Sequence, residues 1–418
     1  MNRRQFIKSS MASTAVFTIV PRYVLGGAGY TAPSDLITKA VIGVGGMGRW
    51  HVRYPNARLL AVCDVDRDHL QQATELGGAD VDGYLDFRDV LARNDIDLIH
   101  IATPPHWHGL IAMAAAQAGK DIWCEKPMTR TIGEGRKLVS TIQNSGVIFR
   151  INTWFRFQDD FYDIGSSVFP IKKIVQNGLL GWPLKVTIGE ATGFSWKTYW
   201  QGRTNLEAEW VPENLDYDRW LGPAPYKPYN KHRVHGTFRG YWDYDGGGLG
   251  DMGQHYLDPV QYILHKDDTS PVEIEAEAPQ AHPDVVGIFR RIWMRYDDGC
   301  EIILDGEARN ERIPFIEGPR GRLYKNLEST IPDLKRQLES LPDPEPQITD
   351  FNESIRTRRK FALNEQNGHR SATLVNLAKI AIQTGRKLYF DPVAQRFIND
   401  EGANRLVDQS MRAPWHME

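Results

Sequence analysis

Lys39-Ala40-Val41-Ile42-Gly43-Val44-Gly45-Gly46-Met47-Gly48 is the stretch that decides the fold. A short apolar strand runs straight into glycines in the order G-x-G-x-x-G. Gly43 permits a tight turn, Gly45 lets the backbone approach a pyrophosphate, and Gly48 lets the next helix lie close to the strand. Gly46 and Met47 complete the turn, and the helix N-terminus behind it favours negative charge. A second strand, Arg58-Leu59-Leu60-Ala61-Val62-Cys63, ends on Asp64, about twenty residues after Gly43, the spacing of a carboxylate that binds ribose hydroxyls. Asp64 would repel a 2′-phosphate and so favours NAD, while the nearby Arg67 leaves NADP open as the alternative. A third unit, residues 96–102, has a buried-strand pattern and ends in Thr103-Pro104-Pro105-His106-Trp107-His108, expected over the nicotinamide half of the crevice. An alanine-rich helix over 110–118 and a strand over 121–124 then deliver Glu125-Lys126-Pro127. Thr103, Pro104, His106, His108 and Glu125 are therefore expected beside the cofactor. Strands alternating with helices in this way predict a parallel, Rossmann-type sheet.

At 418 residues, 41% apolar and 25% charged, the chain suits two globular domains. A net charge of −3 lacks the basic footprint of a nucleic-acid or anionic-membrane binder. Cys63, Cys124 and Cys300 form no C-x-x-C pair, and His106 and His108 have no accompanying Cys or acidic cluster, so no metal site and no disulfide framework are expected. Twelve Trp and sixteen Tyr offer flat faces on which sugar rings pack.

Residues 1–34 contain no acidic side chain and open with Asn2-Arg3-Arg4-Gln5-Phe6-Ile7-Lys8, before an apolar run over 11–20 too short to span a bilayer. This resembles a twin-arginine signal peptide, here residues 1–32, cleaved between Gly26 and Ala32. The resemblance implies passage through the twin-arginine machinery to the periplasm or beyond, without a membrane anchor. An exported enzyme meets no ready pool of nicotinamide nucleotide, so the cofactor is expected to stay tightly bound across turnovers.

Gly43 to Gly48, Asp64, Ala102-Thr103-Pro104-Pro105-His106-Trp107-His108, Glu125-Lys126-Pro127 and Gly246-Gly247-Gly248-Leu249-Gly250-Asp251-Met252-Gly253-Gln254-His255 together resemble the Gfo/Idh/MocA oxidoreductases, the family of glucose–fructose oxidoreductase and inositol dehydrogenase. The resemblance covers Thr38 to about Pro392. It implies an α/β fold: a Rossmann domain (36–155), then an α+β domain (156–392) with an open, mostly antiparallel sheet whose outer face often makes a homo-oligomer contact. A tail (393–418) follows. The resemblance also gives Lys126 to the substrate hydroxyl and pairs Asp251 with His255. At i,i+4 on a helix expected over 249–264, the last two share one face. Pro259 is expected to interrupt that helix or start its second half.

Removing a hydride from a carbinol carbon requires a base for the hydroxyl proton. His255 is the candidate, Asp251 its orienting partner, and Lys126 a donor to the same oxygen. Long aromatic loops over 194–200 and 220–244 hold Trp196, Trp200, Arg239 and Trp242, and with Trp154 and Arg156 they are expected to wall a sugar site. For Arg156 an ion pair at the domain interface is an equal alternative. The function expected is exported, NAD(P)-dependent oxidation or reduction of a sugar, glycoside or polyol. The alternative is a redox-neutral NAD-dependent glycosidase that works by transient oxidation and elimination.

Overall fold

The strand ahead of the glycines forms as Thr38–Ile42 (β1), with Ala40, Val41 and Ile42 buried, and the chain turns at Gly43 into a helix over Gly46–Arg53 (α1). The computed structural model describes residues 36–309 and 311–417, apart from the side chains of 154 and 155; the twin-arginine segment lies outside them. Residues 1–37 and 38–418 are separate units, and the second holds everything that follows.

After β1 come Arg58–Cys63 (β2), Arg67–Gly77 (α2), Asp82–Tyr84 (β3), Leu98–Ile101 (β4), Pro105–Gln117 (α3), Asp121–Cys124 (β5), Ile132–Ser145 (α4) and Phe149–Ile151 (β6). The six strands form a wholly parallel sheet in the order β3-β2-β1-β4-β5-β6. Strands β4 and β5 are buried at every position, which is why they read as apolar runs interrupted only by the buried His100 and Asp121. Local chemistry sets the helix starts: Asp66 caps α2 by accepting from the Asp68 and His69 N–H groups, and Thr131 caps α4 through Glu134. Strand order reverses between β1 and β4, and a ligand crevice opens at such a point.

The second half holds Lys185–Ile188 (β7), Tyr217–Leu221 (α5), Gly247–Ile263 (α6), Glu273–Glu277 (β8), Arg291–Arg295 (β9), Glu301–Asp305 (β10), Ile316–Gly318 (β11), Gly321–Leu323 (β12), Glu365–Thr384 (α7), Leu388–Asp391 (β13), Arg396–Phe397 (β14) and Glu401–Val407 (α8). Its eight strands run β12-β11-β7-β10-β9-β8-β13-β14, antiparallel except for the β7–β10 pair. Alternation sorts the faces. Ile274, Ile292, Met294, Ile302 and Leu304 pack with Leu257 and Val260 of α6 and Leu374 and Leu377 of α7, each worth roughly 1.5–3 kcal/mol when fully buried. On the opposite face Thr187, Ile303, Trp293 and Glu275 lie in one register across four strands.

One element differs from expectation. Helix α6 runs unbroken through Pro259, because burial on nearly all sides outweighs the one backbone bond that proline removes. Helix α7 begins at Glu365, where Asn364 accepts from the Gln366 and Asn367 N–H groups.

Candidate active site

A cavity of about 710 Å³ opens where the strand order reverses, and Gly43, Gly45, Gly46 and Met47 line it. Gly43 has φ +82°, and a Cβ there would lie 2.6 Å from the Thr103 amide nitrogen. A Cβ on Gly48 would stand 1.9 Å from the Gly43 carbonyl oxygen, so Gly48 sets how closely α1 approaches β1. Around Gly46 nothing would meet a Cβ within 4 Å, which leaves the turn open on the cleft side. Thr103, also in the lining, has a buried hydroxyl with no hydrogen-bond partner among the described residues. An open glycine cradle at a helix N-terminus beside that hydroxyl fits a dinucleotide.

Asp64 marks one end of the cleft. Its Oδ2 accepts from the Val44 N–H at 2.7 Å and its Oδ1 from the Asp66 N–H at 2.9 Å. Burial raises its pKa against the pull of those donors. His69 and His235 stand beside it, and with Asp66 they bring ligand atoms within 4.8 Å of one another.

Glu125 and Lys126 mark the other end. Glu125 Oε1 accepts from Asn152 Nδ2 at 2.6 Å and pairs with His51 Nε2 at 2.9 Å. Burial works against its ionisation, but the His51 hydrogen bond and the Lys126 charge bring the carboxyl down to about 2. His51 meets His100 in turn, Nδ1 to Nδ1, at 2.9 Å.

From the second half, α6 brings Asp251 and His255 to the same cavity. Lys126 Nζ donates to the Asp251 backbone carbonyl and to Oδ1 at 3.0 Å. Arg239 Nε donates to Oδ1 at 2.9 Å and Lys197 Nζ to Oδ2 at 2.7 Å. Burial opposes the Asp251 charge, yet Lys126, Arg239 and Lys197 hold its carboxyl well below the usual range. The Asp251 oxygens serve three cations, which this carboxylate gathers at the cleft wall. Burial and then the Lys126 charge push the His255 imidazole down to about 3, so the ring is neutral and proton-accepting at neutral pH.

Several expected residues lie elsewhere. His106 Nε2 sits 3.0 Å from the Trp220 carbonyl, and the His108 ring nitrogens lie 2.7 Å from the Thr103 and Pro127 carbonyls. Both are buried behind the lining and brace loops rather than face the cavity. Trp196 donates to the Asp305 carbonyl and Trp242 to that of His282, both within the core of the second half. Arg156, fully buried, is bound by Asp258 and Asp267, both of the second half, and does not line the cleft. The Trp154 side chain lies outside the described residues. Of the proposed sugar wall, Arg239 and Trp200 line the cleft, joined by Lys197, Tyr162 and Asp245. Burial raises Asp245 to about 6. Lys197 went unread because a loop lysine is ordinarily solvated, and only its 2.7 Å contact with Asp251 distinguishes it.

The profile of an oxidoreductase family's NAD-binding Rossmann fold matches residues 37–153, and that of its C-terminal alpha/beta domain matches 164–417. A "Glycosyl hydrolase family 109 protein" of Shewanella baltica is 28% identical over 269 residues, 54% of this chain and 54% of that protein. Inositol 2-dehydrogenase of Klebsiella pneumoniae is 30% identical over 189 residues, 43% of this chain and 53% of that one. The chain thus spans about half the length of the curated relatives it matches. The WlbA dehydrogenase from Bordetella pertussis, solved with NADH and UDP-GlcNAcA, shares the fold at a TM-score of 0.56 and 18% identity, over 85% of this chain and 99% of that one. Two adjoining profiles, laid over a parallel sheet and the mixed sheet after it, put the chain in the Gfo/Idh/MocA oxidoreductase family.

Proposed function

We propose that this chain is an exported enzyme that holds NAD tightly and moves a hydride between the nicotinamide and a hydroxyl-bearing carbon of a sugar, glycoside or polyol. What carries this is one convergence: Lys126 from one sheet and His255 from α6 line a single cleft with the glycine turn. Bound nicotinamide supplies the hydride acceptor. Neutral His255 takes the hydroxyl proton, and Lys126 donates to the same oxygen and steadies alkoxide character as it develops. Asp251 keeps Lys126 placed. Trp200 and Arg239 bound the sugar's place with an aromatic ring and a guanidinium held against it.

The names of relatives favour a second reading, in which the hydride returns after a glycosidic bond is eliminated, with no net redox change. Mixing the NAD-loaded protein with a panel of sugars and glycosides separates the two. Accumulation of reduced cofactor with a keto-sugar supports the first, and free sugar without reduced cofactor supports the second. Silence with every compound, from a protein that binds NAD, counts against both.

Export rests on Arg3-Arg4 and the acid-free leader; replacing both with Lys should trap the protein inside the cell. A homo-oligomer rests on the open sheet face that carries Trp293 and Ile303; light scattering of wild type and Trp293→Glu tests it.

A further inference from the structure

The Asp64 end of the cleft is walled by residues from far along the chain. Arg412 is pinned to α5: its backbone N–H donates to the Pro223 carbonyl at 2.9 Å, Nη1 to Asp218 Oδ1 at 2.6 Å and Nε to the Gly222 carbonyl at 2.9 Å. This anchor sets Trp415 into the cleft lining beside Leu85, Asp86 and Phe87, its ring edge-on to Trp107 with centroids 4.8 Å apart. Trp107 in turn donates to the Trp220 carbonyl at 3.0 Å, the same oxygen that His106 meets.

Next to Asp64, along residues 65–67, a segment of the second half lies against the first. The Arg67 N–H donates to the Asn214 carbonyl at 2.8 Å, the Asp216 N–H donates to that of Val65 at 3.0 Å, and Asn214 Nδ2 reaches Asp66 Oδ1 at 3.1 Å. Over this seam stands His235, held at φ +54° with Nε2 3.5 Å from Asp66 Oδ2 and its ring 4.9 Å from that of His69.

We infer that Trp415 and His235 form a two-sided clamp on the adenosine moiety of the dinucleotide, retaining it between turnovers. The inference rests on the reading of this cleft as the NAD site. Asp64 fixes where the adenosine ribose lies, and the aromatic wall of Phe87, Trp107 and Trp415 then borders the place of the flat base. Because both arms come from the second half, release of NAD requires Trp415 or His235 to move away from the first.

The test follows NADH displaced from the full-length protein by excess NAD, read by loss of NADH fluorescence. Trp415→Ala and His235→Ala are each expected to speed release about tenfold or more, and the double variant about a hundredfold. ADP-ribose binding should weaken in parallel, with nicotinamide mononucleotide binding unchanged. Release at the wild-type rate in both single variants overturns the clamp and leaves the NAD site standing. A wild-type protein that binds neither NADH nor ADP-ribose overturns the NAD site itself, and the clamp with it. Should Trp415→Ala fail to fold, Arg412→Ala frees the anchor without touching the cleft and Trp415→Phe keeps a ring; unchanged release in both overturns the proposal equally.

Discussion

Lys126 donates to Asp251 twice, to the backbone carbonyl and to Oδ1, and so ties the end of strand β5 to helix α6 of the other half. The pair is nearly buried, with 10% and 4% side-chain exposure, so water does little to screen it. Lys126→Met should lower kcat/KM by about 10³ or more, roughly 4 kcal/mol of transition-state stabilisation, with NAD still bound. A loss under about tenfold would remove Lys126 from the chemistry.

His255 is neutral throughout the ordinary imidazole range, since burial and Lys126 bring it to about 3. Turnover should therefore show no acid limb near pH 6.5, the ordinary histidine value. An acid limb at that pH in the wild-type protein, still folded there by circular dichroism, would contradict this.

Stability is expected to limit the acid side instead. His100, His106, His108, His255 and His369 are all buried, and burial is the largest cause lowering each pKa. Unfolding lets these rings take up protons. Their contribution is complete above about pH 6.5 and is lost as pH falls toward the folded values, at up to about 1.4 kcal/mol per pH unit for each ring. Urea midpoints at pH 7.5 and pH 5.5 should differ accordingly, and equal midpoints would refute this.

Arg156→Ala leaves Asp258, 0% exposed, without its partner. Breaking such a pair costs about 3–5 kcal/mol, so thermal unfolding should fall by several degrees. Arg156→Lys, which loses the fork across Asp258 and Asp267, should recover only part. Wild-type stability with impaired sugar binding would return Arg156 to the cleft.

Asp64→Ser removes the carboxylate that excludes a 2′-phosphate. NAD binding should weaken about tenfold or more and the NAD-over-NADP preference should shrink, as titration by fluorescence quenching would show. An unchanged preference would place discrimination elsewhere.

The fold was legible because its signals are local. Residues 39–48 carry a strand, a turn and a helix start within ten positions, and Asp297-Asp298-Gly299 joins β9 to β10, with Gly299 at φ +86°. That Lys126, Asp251 and His255 share one cleft was legible because each lies within a contiguous motif. The cleft walls were not, since they depend on which distant segments meet. Nothing in the residues around Arg156 announces Asp267, and nothing near Asp64 announces His235 or Trp415. His106 and His108 turn to the loop carbonyls of Trp220, Thr103 and Pro127 while Pro105 and Trp107 of the same turn line the cleft, a division that depends on those distant loops.

The Arg412 anchor also orders events in time. In a growing chain the glycine turn and Asp64 leave the ribosome long before Trp415, so the nucleotide half emerges as an unlatched site. On the clamp inferred above, secure loading of the coenzyme follows synthesis of residue 415 and is a late event of maturation rather than an early nucleus for folding.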